Sequence, residues 1–201
     1  MAVRHAGVRP QEPETSGPAQ ARERILDAAS QLFTRQGISR TGVDGLIAEA
    51  AVAKATFYRH FPSKEDLVVA WLRDPRTRWF HRLRALAEAQ AATPAERIPR
   101  LFEAAAEWLE AGDFRGCPYL NTAVELADPD RPPGHALRDY LAEIGAYLEE
   151  QVALAGHPDP ALLGRQLHTL MAGAISLGVA NRSSRYVLVA RDAALELLAA
   201  A

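Results

Sequence analysis

From Ala21 onward the apolar residues of this chain recur at helical spacing almost without a break, and Pro94, Pro118, Pro133 and Pro160 stand near the heads of the segments. Apolar positions at i, i+3, i+4 and i+7 bury one stripe of a helix, and proline is tolerated in a first turn because its missing N–H has no helical partner there. The one stretch rich in β-branched residues, "RYVLVA" at 185–190, lies inside a helical context. The pattern therefore predicts an all-α protein.

Residues 1–20 are rich in Pro, Gly and polar side chains, and read as a disordered tail. A first helix over about 20–36 buries Ile25, Leu26, Ala29, Leu32 and Phe33, and Gly37 is placed to end it in a left-handed conformation. A short helix near 43–50, with Thr41 available as a cap or phosphate contact, is followed by a break and a third helix near 54–60. Pro62 stops the third helix, and Ser63 with Asp66 caps a fourth. Helix, short helix, tight turn and short helix outline a helix-turn-helix over 21–66, closed on Leu32, Phe33, Leu46, Val52, Phe57 and Phe61.

Spacing each residue of the third helix by about 100° orients it. Phe57 and Phe61 share a direction that must face the core, and Arg59 lies opposite. Ala55 and Thr56 flank Arg59, His60 sits beyond Thr56, and Lys54 and Tyr58 lie on the shoulders. Arginine pairs with guanine edges, while lysine and hydroxyl side chains anchor phosphates. Two readings fit such a face: a surface that enters a DNA groove, or the solvated side of an ordinary bundle helix. Bulk charge does not choose between them, because the 201 residues carry a formal net charge of −2.

The stretch "TGVDGLIAEAAVAKATFYRHFPSKEDLV" resembles the DNA-binding region of TetR-type transcriptional regulators. Thr41, Val43, Ala50, Val52, Lys54, Thr56, Tyr58, His60, Phe61, Ser63, Lys64 and Leu67 match that family's pattern at its spacing, and the close likeness covers about 21–70. The resemblance implies DNA contacts from Thr41, Lys54, Ala55, Thr56, Tyr58, Arg59, His60 and Lys64. Three positions depart from the pattern. Ala51 replaces a turn glycine, Ala53 replaces a serine that would cap the recognition helix, and Ile47 replaces a small alanine.

Further helices are predicted at about 63–90, interrupted near Pro75, and at 94–111, 118–127, 133–155, 159–181 and 184–200. The resemblance implies that residues 67–201 bind a small-molecule effector and form a homodimer on a pseudo-palindromic operator. Leu163, Leu167, Leu170, Met171, Ala174 and Ile175 are apolar at helical spacing, with Gly173 and Gly178 allowing close approach. Of these, Leu163, Leu167, Leu170, Ala174 and Ile175 suit a dimer interface, with a helix buried within one subunit as the alternative. Trp79, Phe102, Trp108, Phe114, Tyr119 and Met171, with Asn121, Glu125 and His168 as polar contacts, are candidates for a pocket or for plain core. Cys117, just before Pro118, is either a pocket thiol activated by a helix N-terminus with Arg115 nearby or a small buried apolar residue.

Other functions find little support. There is no glycine-rich phosphate loop, H-E-x-x-H or nucleophile elbow, so an enzyme is not expected. A helical protein–protein module would use the same aromatics. The single cysteine excludes an intramolecular disulfide, and no metal or cofactor is expected. No signal-peptide core or membrane-length apolar run occurs, so the sequence reads as cytoplasmic.

Overall fold

The computed structural model describes residues 18–75, 78–111, 117–126 and 128–200. They form ten helices: α1 (Pro18–Gln36), α2 (Val43–Glu49), α3 (Lys54–His60), α4 (Lys64–Arg73), α5 (Trp79–Gln90), α6 (Pro94–Glu110), α7 (Pro118–Glu125), α8 (Pro132–Leu154), α9 (Pro160–Asn181) and α10 (Arg185–Ala199). No strand occurs among the described residues. Most of the expected tail, and Phe114 and Arg115, lie outside the described residues. Pro18–Gln20, assigned to the tail, are instead the first residues of α1.

The local signals act as their chemistry demands. Gly37 ends α1 at φ 86° with its amide bonded to the Phe33 carbonyl at 3.0 Å. Ser63 and Asp66 form a reciprocal cap on α4, their side chains and amides bonding at 3.1 and 3.0 Å. The long segment expected over 63–90 divides at Asp74 and Pro75 into α4 and α5, because proline cannot continue the ladder.

α1, α2 and α3 close around Phe33, Leu46, Phe57 and Phe61, all buried. The guanidinium of Arg22 lies over the Phe61 ring at 5.5 Å, covering the outer edge of that core. In the remainder, α8 packs along α9, α10 lies on α6 and α9, α5 lies on α6, and α4 crosses α8. Trp71 of α4 joins the two parts. It meets Phe33 of α1 edge-on at 5.3 Å and stacks on Tyr119 of α7 at 5.6 Å, and Tyr119 meets Tyr140 of α8 at 4.0 Å.

The turn between α2 and α3 stores strain. Ala51 sits at φ 50°, with its amide bonded to the Ala48 carbonyl at 3.1 Å and that of Val52 to Ile47 at 3.3 Å. These are the two bonds of a Schellman cap, whose left-handed residue is normally glycine. An alanine Cβ there costs about 1 kcal/mol. Ala53 occupies the N-cap of α3 and supplies no side-chain bond to it. We predict that Ala51→Gly and Ala53→Ser each stabilise the fold by about 1 kcal/mol, raising Tm by about 2–4 °C apiece in calorimetry.

Candidate nucleic-acid interface and effector cavity

Pro62 and the α2–α3 turn confine α3 to seven residues, and Phe57 with the C-cap residue Phe61 bolts it inward. Phe57 and Phe61 are buried, Lys54, Ala55 and Arg59 are exposed, Tyr58 is 42% exposed, and Thr56 and His60 are half-buried. The outward face expected from periodicity is therefore present. Tyr58 rests edge-on against Phe57 at 5.4 Å, which holds its hydroxyl at the margin of that face. Lys54 lies 3.6 Å from Asp44 in a pair exposed on both sides, weak enough to leave the ammonium available to another anion.

Two expected DNA contacts are placed differently. Thr41 is fully buried, donates its hydroxyl to the Gly37 carbonyl at 2.6 Å and accepts from Gln36 Nε2 at 3.2 Å. It braces the α1–α2 turn and does not cap α2, whose N-cap is Gly42. Lys64 donates its Nζ to the Ile38 carbonyl at 2.5 Å. Burial pushes this ammonium below its ordinary pKa, opposed by the charge of Glu125. Lys64 therefore ties α4 to the same turn instead of presenting its charge outward.

Glu125 completes this junction from α7. Its Oε2 accepts the Ser39 amide at 2.6 Å, and a Cβ added at Gly37 would lie 2.5 Å from its Oε1. With Asn121 and Thr122 it borders an open concavity against the end of α1. Asn121 and Glu125, expected at an effector pocket, instead face the helix-turn-helix domain.

The opposite side of α7 borders a second site. Trp79, Cys117, His168 and Met171 line a cavity of about 20 Å³ with Leu120, Leu141, Ile144, Ala172 and Ile175. It adjoins an open groove of about 620 Å³ between α7, α8 and α9, the two sharing Leu120, Leu141, His168 and Ala172. Trp108 lies behind this wall, stacked on Trp79 at 5.0 Å. Phe102 and Tyr119 are core residues with no part in the cavity. The aliphatic lining escaped sequence reading because a cavity leucine and a core leucine have the same periodic signature.

Cys117 is buried and accepts the indole N–H of Trp79 at 3.0 Å. Burial pushes its thiol up to about 11, outweighing hydrogen bonds from the Leu120 and Tyr119 amides at the head of α7. The helix N-terminus does not activate it. Burial also lowers the pKa of His168, favouring neutral imidazole. Among the described residues, no group of His, Cys, Asp and Glu is arranged to hold a metal ion.

The expected interface residues of α9 are mostly interior. Leu163, Leu167, Met171, Ala174 and Ile175 are buried within the subunit, and Leu170 is half-buried. Gly178 approaches Leu109 of the same chain, where an added Cβ would lie 3.1 Å from its Cδ1. The outward face of α9 instead presents Leu162, Thr169, Gly173 and Leu177, beside Tyr186 and Val189 of α10.

Residues 25–71 match the profile of the bacterial regulatory proteins of the tetR family. The regulator LmrA of Bacillus subtilis is 30% identical over 138 residues, covering 68% of this chain and 73% of LmrA. The chain belongs to the TetR family of transcriptional regulators. The repressor KstR2 of Mycolicibacterium smegmatis is 32% identical over 117 residues, 58% of this chain and 57% of KstR2, so the chain spans little more than half of that relative. The solved TetR-family regulator SCO4454 of Streptomyces coelicolor superposes with a TM-score of 0.79 at 28% identity, over 90% of this chain and 96% of that one. This TetR-family protein is thus a DNA-binding regulator, with an N-terminal helix-turn-helix domain and a helical C-terminal domain. No helix among the described residues is long and apolar enough to cross a membrane.

Two measurements test the geometry. Raising a thiol pKa by about two units removes roughly 99% of its thiolate near neutral pH. Cys117 should therefore resist iodoacetamide in the native protein and react fully on denaturation, as read by mass spectrometry. In Glu125→Ala the Ser39 amide loses its acceptor, and its hydrogen exchange should quicken about ten-fold.

Proposed function

We propose that the protein is a homodimeric, cytoplasmic repressor that leaves a pseudo-palindromic operator when a small effector binds its C-terminal domain. The DNA-binding unit comprises 21–66 and the regulatory unit 67–201. The observation that carries this reading is α3, whose buried phenylalanines turn Arg59, Tyr58, Lys54 and Ala55 outward together. Arg59 reads a base edge, Ala55 permits close approach, and Lys54, Thr56, Tyr58 and His60 meet the backbone. The names of KstR2 and of NemR from Escherichia coli, both repressors, support the sign of regulation.

Dimerisation would use the outward faces of α9 and α10 in place of Leu163, Leu167, Ala174 and Ile175. Leu162, Leu177, Tyr186 and Val189 are large apolar residues left exposed on adjacent helices. Covering them with the same face of a second copy makes a two-fold interface and sets two α3 helices about one DNA turn apart. α7 would couple the sites, since Leu120 borders the groove while Glu125 holds the α1–α2 turn. An effector shifts DNA affinity only by as much as it distinguishes the DNA-bound state from the free one.

Selection from random duplexes should return an inverted repeat, and Arg59→Ala and Tyr58→Ala should abolish its gel shift while leaving the dimer intact. Lys54→Ala should weaken binding on all sequences and reduce the salt slope by about one. Unchanged affinity in the Arg59 variant would overturn the assignment of α3.

A further inference from the structure

The groove and the cavity behind it carry information about what they would hold. Among the described residues, neither is lined by an Asp, Glu, Lys or Arg side chain. Nearby acids are engaged elsewhere: Glu143 with Arg78 and His81, both at 2.6 Å, and Glu125 with Ser39. An ion entering this space would lose its water and gain no countercharge from the described lining, a penalty that an uncharged molecule avoids.

The polar groups present are sparse and neutral. Thr169 and Ser176 donate their hydroxyls to carbonyls one turn back in α9, at 2.8 and 2.9 Å. His168 stands where groove and cavity join and makes no hydrogen bond among the described residues, so its ring can offer a donor and an acceptor. Behind it the wall is Trp79, Leu141, Ile144, Met171 and Ile175. The cavity holds about one water, but Met171 is unbranched and adaptable, so an alkyl chain can enlarge the space by turning it.

We infer that the effector site between α7, α8 and α9 takes an uncharged, largely apolar small molecule whose single hydroxyl or carbonyl bonds to His168. The inference rests on the ligand-responsive reading above and names the class of ligand. A second copy packed on the outward face of α9 could roof the groove beside Gly173 and Ser176. It would not reach the cavity between Trp79 and Met171, which lies inside the subunit.

The test uses the full chain and three probes with one carbon skeleton: 1-octanol, octanoate and octylammonium. Binding is followed by tryptophan fluorescence, since Trp79 lines the cavity, and by equilibrium dialysis. Octanol should bind saturably and at least ten-fold more tightly than either ion. His168→Ala should weaken octanol several-fold and His168→Asn should largely restore it, while Ala172→Trp should block it with the fold intact by circular dichroism.

Equal or tighter binding of either ion would overturn the ligand class and leave the ligand-responsive reading standing. No saturable binding of any probe would overturn the site itself. Ala172→Trp lowering the dimer mass in sedimentation without touching octanol binding would give the groove to a second copy and overturn the inference. The operator titration is made without effector, so failure of DNA recognition is read separately from each of these outcomes.

Discussion

Trp71 lies between the two halves of the molecule, with Phe33 of the helix-turn-helix at its edge and Tyr119 of α7 on its face. Aromatic pairs prefer these edge and offset geometries, and a fully buried indole contributes some of the largest apolar area a side chain can offer. Through Tyr119 and Tyr140 the seam continues into α8, so α1, α4, α7 and α8 share one packed column. The placement of α3 relative to the regulatory helices depends on it. A tight core repacks between discrete arrangements instead of yielding gradually, which suits a column linking the groove beside α7 to the helix-turn-helix.

Charge in this protein is divided between an exposed helix face and an internal brace. Lys54 and Arg59 remain at the surface of α3, where their charges are available to a polyanion. Lys64 and Glu125, which carry equally strong charges, are spent on the backbone of the α1–α2 turn. Thr41 joins them there through the Gly37 carbonyl. Thus a turn of a few residues is held from α4, from α7 and from its own strand of chain. Directional polar bonds thus join the helix-turn-helix domain to α7 at this turn, and Arg131 at the head of α8 adds another by donating to Glu65 of α4 at 3.0 Å.

Much of the fold was legible because it is written in local chemistry. Gly37, Pro62, the Ser63–Asp66 pair and the prolines at helix heads each act within a turn of their own position. Phe57 and Phe61 oriented α3 by periodicity alone, and Arg59 emerged opposite them as expected. Ala51 drew notice only through the family resemblance, as the residue standing where that pattern has a turn glycine, and the structure places it at φ 50°. The candidate effector residues were only partly legible. Trp79, Cys117, His168 and Met171 do line the cavity, but Phe102 and Tyr119 went to core and Asn121 and Glu125 to the other face of α7.

The sequence by itself determined nine helical segments, one of them interrupted near Pro75, with their caps and breaks and the two-faced character of α3, because periodicity and capping operate over three or four residues. Only the tertiary structure decided that Lys64, Thr41 and Glu125 meet around one turn, that α9 faces inward with Leu163, Leu167 and Ile175, and that Cys117 is a buried thiol. Those outcomes rest on which helix lies against which, and such contacts join residues far apart in the chain, as with Ser39 and Glu125, 86 positions apart. A leucine on a stripe or a charge on a helix end carries no mark of the neighbour that will bury it.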